Sequence, residues 1–396
     1  MEGYISKSLI DVDNGVYVED WKMSSDDLRL GPHDWRIEKK RLRGGVQEGV
    51  DVMEVNNGRL SFTIVPTRGM GIWKGKFERC FLGWTSPVKA PVHPRHIRLE
   101  DRGGLGFLDG MNEWVFRCGL ESNGAPGEDM IVDNMGNEKR ANLTLHGKIA
   151  NIPADRVEVR IGLDPPHNLS VIGTVCERSM FGANLCMNTN ITTALGSNQL
   201  SVEDIIENRR SISWEMQLLY HCNYGEPFLE RGSRLIAPVR SVAPRDTRAA
   251  DGVQNWNVFS GPEPGFVEQV YFCDLLWDKE GRTKVMLMNG DGDNAVTVSF
   301  SRDELPYFTL WKNTVDTKDG YVAGLEPATN YPNKKRFERT RGRVIKLGPG
   351  ERYRAEIILE THVGRTSVSK VEDDILELQK QVQPKILSAP DPQLSE

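Results

Sequence analysis

The chain has 396 residues, enough for two domains or for one large β domain with a sizeable core. Apolar residues make up 38% and charged residues 27%, which excludes a wholly disordered polypeptide. Lys and Arg total 50 against 56 Asp and Glu, a net charge of −6 that favours neither nucleic acid nor an acidic membrane surface as partner.

The opening MEGYISKSLIDVDNG has no apolar h-region or small-residue cleavage site, and no run approaches the roughly 20 apolar residues that cross a bilayer. A cytoplasmic protein is therefore expected. Residues 1–50 read as strands and loops decorating a single domain over 1–366, and the basic run EKKRLRGG (Lys39, Lys40, Arg41, Arg43) as a solvated strand edge. From GRLSFTIVP onward the apolar period is two. Leu60, Phe62 and Ile64 alternate with polar residues, as do Val157, Val159 and Ile161, then Val296, Val298 and Phe300, then Tyr353, Ala355, Ile357 and Leu359. Turn clusters such as VNNG, LDPPHN, DGDN and LGPG separate these runs, and few helical stretches intervene. Antiparallel sheets in an all-β sandwich or barrel follow.

One segment departs from this period. In SVSKVEDDILELQKQV, apolar residues fall at Val368, Val371, Ile375, Leu378 and Val382, the stripe of a short helix that stops before Pro384. Packing on its own domain is favoured over pairing with a second copy as a homodimer, and residues after Pro384 are expected to fray. The six cysteines contain no Cys-x-x-Cys pair and read as reduced core thiols.

Several chemistries lack their signatures. There is no G-x-x-x-x-G-K-[ST], G-x-S-x-G or H-E-x-x-H, and GGLGFLDG runs into aromatic and acidic residues where a dinucleotide-binding helix would begin. Pro94 keeps His93 and His96 from lining up on a helix, and no acidic or thiol ligands accompany them, so a polar loop is expected there and no metal site.

More informative are polar residues in glycine-flanked, strand-like segments: Arg68 in VPTRGMGIW, Arg117 in WVFRCGL, His146 in LTLHGKIAN, His221 in LLYHCNYGEP and Glu326 in GLEPATN. A titratable group at the end of an apolar strand is either hydrogen-bonded or exposed in a cleft. Together they offer an acid–base pair, cationic donors and aromatic walls from Trp84, Trp114, Trp311 and Tyr321, an inventory suited to a sugar.

These residues carry a resemblance. LTLHGKIAN resembles the His-Gly motif of galactose mutarotases and related aldose 1-epimerases, NRRSISWEMQLLYHCNYGEP the stretch with their second histidine, and GLEPATNYPN their Leu-Glu-Pro motif. The similarity spans about Val55 to Thr361 and is closest to a bacterial, largely uncharacterised branch. It implies a galactose mutarotase-like β-supersandwich and an isomerase that needs neither metal nor organic cofactor. Glu326 would be the general base at the anomeric hydroxyl, His221 the general acid at the ring oxygen, and His146 would orient the ring oxygen region. The substrate would be held by Arg117, Arg68, Asn123, Asn223, Glu268, Gln269, Trp311 and Lys312, though Glu268-Gln269 stands where relatives carry an Asp-His pair. The arginines and Lys312 also suggest an anionic sugar. The imidazole and carboxylate are expected on opposing flanks of a solvent-reachable pocket. A non-catalytic carbohydrate-binding or regulatory module is the alternative. A lyase or hydrolase ranks last, since a glycosidase usually needs two facing carboxylates and the motifs offer one.

Overall fold

The computed structural model describes residues 3–396. Two largely antiparallel sheets, of ten and fourteen strands, stack over one core. The smaller sheet runs in space from Arg234–Ile236 through Arg282–Met288, Asn294–Ser301, Arg352–Val363, Gln199–Asn208, Asn184–Ala194, Asn168–Arg178 and Arg156–Gly162 to Tyr4–Asp11 and Val16–Tyr17. The larger includes, as consecutive neighbours, Gln269–Leu275, Tyr307–Asn313, Val322–Ala328, Trp214–Tyr224 and Val115–Leu120. The alternating runs of the sequence are strands in these sheets, with Val157, Val159, Ile161, Val298, Phe300, Ile357 and Leu359 all in the shared core. This is an all-β sandwich, as the period-two alternation of the sequence predicts.

The helix forms over Arg365–Gln379, and Val368, Val371 and Ile375 bury against Met286, Met288, Ala295 and Ile236 on the outer face of the smaller sheet. Each such burial contributes about 1.5–3 kcal/mol. The stripe is thus spent on its own domain. Among the described residues, no helix is long and apolar enough to cross a membrane.

Three expectations are corrected. The segment after Pro384 is pinned rather than frayed: Lys385–Ile386 pairs in parallel with Val239–Pro244, and Leu394 O accepts from Asn333 Nδ2 at 2.8 Å. Cys176 and Cys186 are joined by a disulfide, because the hairpin register sets them directly opposite each other; Cys80, Cys118, Cys222 and Cys273 are free and buried. Lys39 is not solvated either. It is buried 3.0 Å from Asp51, because its strand lies inside the larger sheet, flanked by neighbours on both sides.

Candidate active site

Period-two geometry decides which side chains meet. On the larger sheet, Val115, Tyr220, Cys222, Leu310 and Leu325 point into the core between the sheets. Phe116, Cys118, Leu219 and Ala328, an odd number of positions away on the same strands, point the other way and form a second apolar cluster with Phe107, Met111 and Ala150. His221 and Glu326 share this outer face, on adjacent antiparallel strands where Cys222 pairs with Leu325.

His221 Nε2 lies 3.2 Å from Glu326 Oε1. Gly324 makes room for the pair, since a Cβ there would come within 2.8 Å of Glu326 Oε1 and 2.9 Å of His221 Cε1. Phe116 stacks on the His221 ring with centroids 4.8 Å apart, and His146 approaches it edge-on at 5.4 Å. Nδ1 of His146 is 3.2 Å from the Asn123 carbonyl, which fixes the proton on that nitrogen and leaves Nε2 free to accept. His146 holds a φ of +60°, in the left-handed region that a non-glycine residue avoids. Its backbone is clamped there by Gly119 N–H donating to its carbonyl and its own N–H donating to Gly124 O, each at 3.0 Å.

Burial controls the protonation of all three groups. It raises the Glu326 carboxyl to about 8, with the negative charge of Glu268 adding to the rise and Arg245 opposing it. It lowers His146 to about 4, against the Asn123 carbonyl and Glu268. His221 falls well below its ordinary value through burial and then His146, with the Asn223 side chain opposing. The His221–Glu326 pair therefore carries one proton across neutrality, resting on the carboxyl.

Trp311 connects the pair to a charged rim. Its ring stands edge-on to His221, and its indole N–H donates to Glu268 Oε2 at 2.7 Å. Glu268 Oε1 accepts from Arg245 at 3.0 Å, and Arg245 also meets Asp246. Arg245 was not singled out by sequence reasoning. Its signal was a cation just past the strand Val239–Pro244, which pairs with the strand following Glu268. Trp84 packs on the apolar cluster and donates to Glu113 O at 3.1 Å. His221 and Glu326 are each only 3% exposed, whereas His146 and Trp311, whose rings meet His221, and Trp84, which packs on the same apolar cluster, are half-buried.

The other expected residues have their side chains engaged within the fold. Arg117, between Phe116 and Cys118, points into the core, where it donates twice to Asp204 at 2.9 Å and also to Met70 O and Thr189. None of its nitrogens is left for a ligand. Arg68 is spent on Glu113 at 2.6 Å, Asn151 and Gly110 O. Lys312 adjoins Trp311 and so points the opposite way, donating to Asn255 O and Val258 O. Gln269 likewise turns from Glu268 and donates to Arg248 O. Asn123 is buried in a reciprocal amide pair with Asn330, each donor 3.0 Å from its acceptor. Asn223 donates to Glu113 O at 3.0 Å. Trp114 belongs to the core between the sheets, and Tyr321 is buried with its hydroxyl on Ser260 O. The imidazole and carboxylate touch, rather than facing each other across a pocket.

A β-supersandwich of two stacked sheets, with His221 and Glu326 on the outer face of the larger one and His146 in a turn beside them, has the architecture of a galactose mutarotase-like protein. The chain belongs to the family described as a domain of unknown function, DUF4432, whose model matches residues 47–361. Among solved structures, a Klebsiella pneumoniae protein provisionally named an aldose 1-epimerase is 34% identical, with 98% of this chain and 99% of that chain covered and a TM-score of 0.92. A galactose mutarotase-like protein from Clostridium acetobutylicum is 14% identical over 87% of this chain and 99% of its own, with a TM-score of 0.57. A galactose mutarotase related enzyme from Lactobacillus acidophilus is 12% identical over 80% and 99%, with a TM-score of 0.53. The last two are alike in fold alone. No curated protein matches the sequence significantly.

Proposed function

We propose that the protein is a cofactor-free isomerase of the aldose 1-epimerase type, exchanging the anomers of an aldose by opening and closing its ring. The contact of His221 Nε2 with Glu326 Oε1 carries this reading: a buried acid–base pair whose carboxylate has no cationic partner among the described residues other than this imidazole. Such a pair is costly to keep and marks chemistry more than architecture. In a cyclic hemiacetal the anomeric hydroxyl and the ring oxygen sit on one carbon, so a base and an acid serving them belong side by side. Glu326 takes the proton of the hydroxyl while His221 protonates the ring oxygen, the bond from that oxygen to C1 breaks, and an open aldehyde forms. After rotation about C1–C2 the reverse transfers close the ring with either configuration. The resting proton on Glu326 crosses to His221 before the cycle begins.

A neutral sugar fits better than an anionic one. Arg117, Arg68 and Lys312 are consumed inside the fold, and Arg245 is already balanced by Glu268 and Asp246.

The test is to add protein to freshly dissolved single anomers of a panel of neutral and acidic aldoses and to follow exchange by NMR. Acceleration for at least one sugar supports the isomerase. The near-closure of His221 and Glu326 favours one second reading, a carbohydrate-binding module that stacks sugar on Trp84 and Trp311 without reaching the pair. Binding without acceleration for every sugar bound would establish the module.

A further inference from the structure

His146 and His221 differ in one respect that the reaction makes important. The ring of His146 has a carbonyl to hold its Nδ1 proton, whereas Nδ1 of His221 is buried and lacks a hydrogen-bond partner. A buried ring nitrogen without a partner is rare enough to require an explanation. Two residues along the same strand, and therefore on the same face, Oδ1 of Asn223 is also buried and also unmatched. The orientation of that amide is not free. Its Nδ2 donates to the Glu113 carbonyl at 3.0 Å, which only the nitrogen can do, so the other end must be the oxygen. The Asn223 backbone is also anchored, its N–H 2.7 Å from Trp114 O.

We infer that Asn223 is a positioning residue for His221: its side-chain oxygen accepts the Nδ1 proton of the imidazole and so turns an unprotonated Nε2 toward Glu326. Joining the two unmatched atoms would satisfy both at once. Phe116 and Trp311 hold the plane of the ring but supply no acceptor, so they leave its tautomer undetermined. Asn223 settles it. With Nδ1 protonated, Nε2 at 3.2 Å can receive the Glu326 proton and pass it to a sugar oxygen; with Nε2 protonated instead, a proton would stand against the protonated carboxyl and transfer between them would stop. The opposition of Asn223 to the fall in His221 basicity is in keeping with this bond. It also moves Asn223 from the substrate-binding set to the support of the acid–base pair.

The deciding measurement is the nitrogen-15 NMR spectrum of histidine-labelled protein, with His221 assigned by its loss in His221→Gln. The wild type should show the Nδ1–H tautomer at His221 with a slowly exchanging proton, and Asn223→Leu should lose that proton or move it to Nε2. An Nε2–H tautomer in the wild type, or an Nδ1–H signal untouched by Asn223→Leu, would overturn the inference. This readout needs no activity, and the wild-type spectrum stands even if a variant fails to fold.

The activity arm rests on the isomerase reading. Asn223→Leu should lower kcat at least about 10-fold with KM nearly unchanged, the loss typical of removing a group that orients a reacting histidine. Asn223→Asp should restore much of it and carry the alkaline limb of the pH profile upward, because a carboxylate favours the imidazolium. Unchanged kcat in the leucine variant would count against the role. Absence of anomer exchange in the wild type would instead dispose of the isomerase, leaving the tautomer to the spectrum.

Discussion

Trp311 ties the rim of the site to its floor, donating its indole N–H to Glu268 at 2.7 Å while its ring stands edge-on to His221 with centroids 5.4 Å apart. Glu268 thereby reaches the reacting pair through an aromatic side chain and through its charge. Glu268→Gln removes a negative charge that raises the Glu326 carboxyl, so the alkaline limb of kcat/KM should move to lower pH. Arg245→Gln removes the opposing charge and should move the limb upward. Rate profiles of the two variants check the pair of opposite signs.

In the proposed reaction the working form of the wild type is the pair holding a single proton. That proton is lost as pH rises through about 8, so kcat/KM should fall above this value. On the acid side a second proton enters only well below the ordinary histidine range, so the plateau should extend below pH 6.5. A decline beginning near 6.5 would contradict the assignment.

Glu326→Gln and His221→Ala should each reduce anomer exchange by about 10²–10⁴-fold, with circular dichroism and thermal midpoint close to wild type. The double variant should be little worse than either single one, since the residues act as a unit.

His146 occupies a left-handed conformation that costs a non-glycine residue about 1–2 kcal/mol. Asparagine tolerates that region better, so His146→Asn should unfold no more easily than wild type, or slightly less easily, while exchange falls. Denaturant unfolding beside the NMR assay tests both halves.

Arg117 should behave as architecture. Arg117→Met leaves Asp204 as an uncompensated buried charge and should destabilise the fold by about 3–5 kcal/mol, whereas Arg117→Met with Asp204→Leu should recover much of the loss. A rise in KM without loss of stability would return Arg117 to the sugar.

The strands and the helix were legible because their apolar periods are clean, and His146, His221 and Glu326, which the fold brings together, because each is a titratable group in an apolar, strand-like run with a glycine within four residues. The binding set was less legible. Trp311 with Lys312, and Glu268 with Gln269, were assigned together, yet neighbours on a strand point to opposite faces, so one of each had to be wrong for the same site. Arg117 needed knowledge of which face of its strand met the second sheet, and its partner Asp204 lies 87 residues away. The disulfide depended on hairpin register, which residue spacing alone does not fix.

The amide pair of Asn123 and Asn330 has a wider meaning. Asn123 holds His146 through its carbonyl and, through its side chain, grips a residue four positions beyond Glu326. Two segments far apart in the chain are thus locked into one frame, leaving the reacting groups little freedom to adapt to different guests. On the proposed reading, discrimination among sugars then falls to Trp84 and Trp311 at the edge of the apolar cluster. Descendants of this scaffold could change diet by altering the doorway while the machinery behind it stayed untouched.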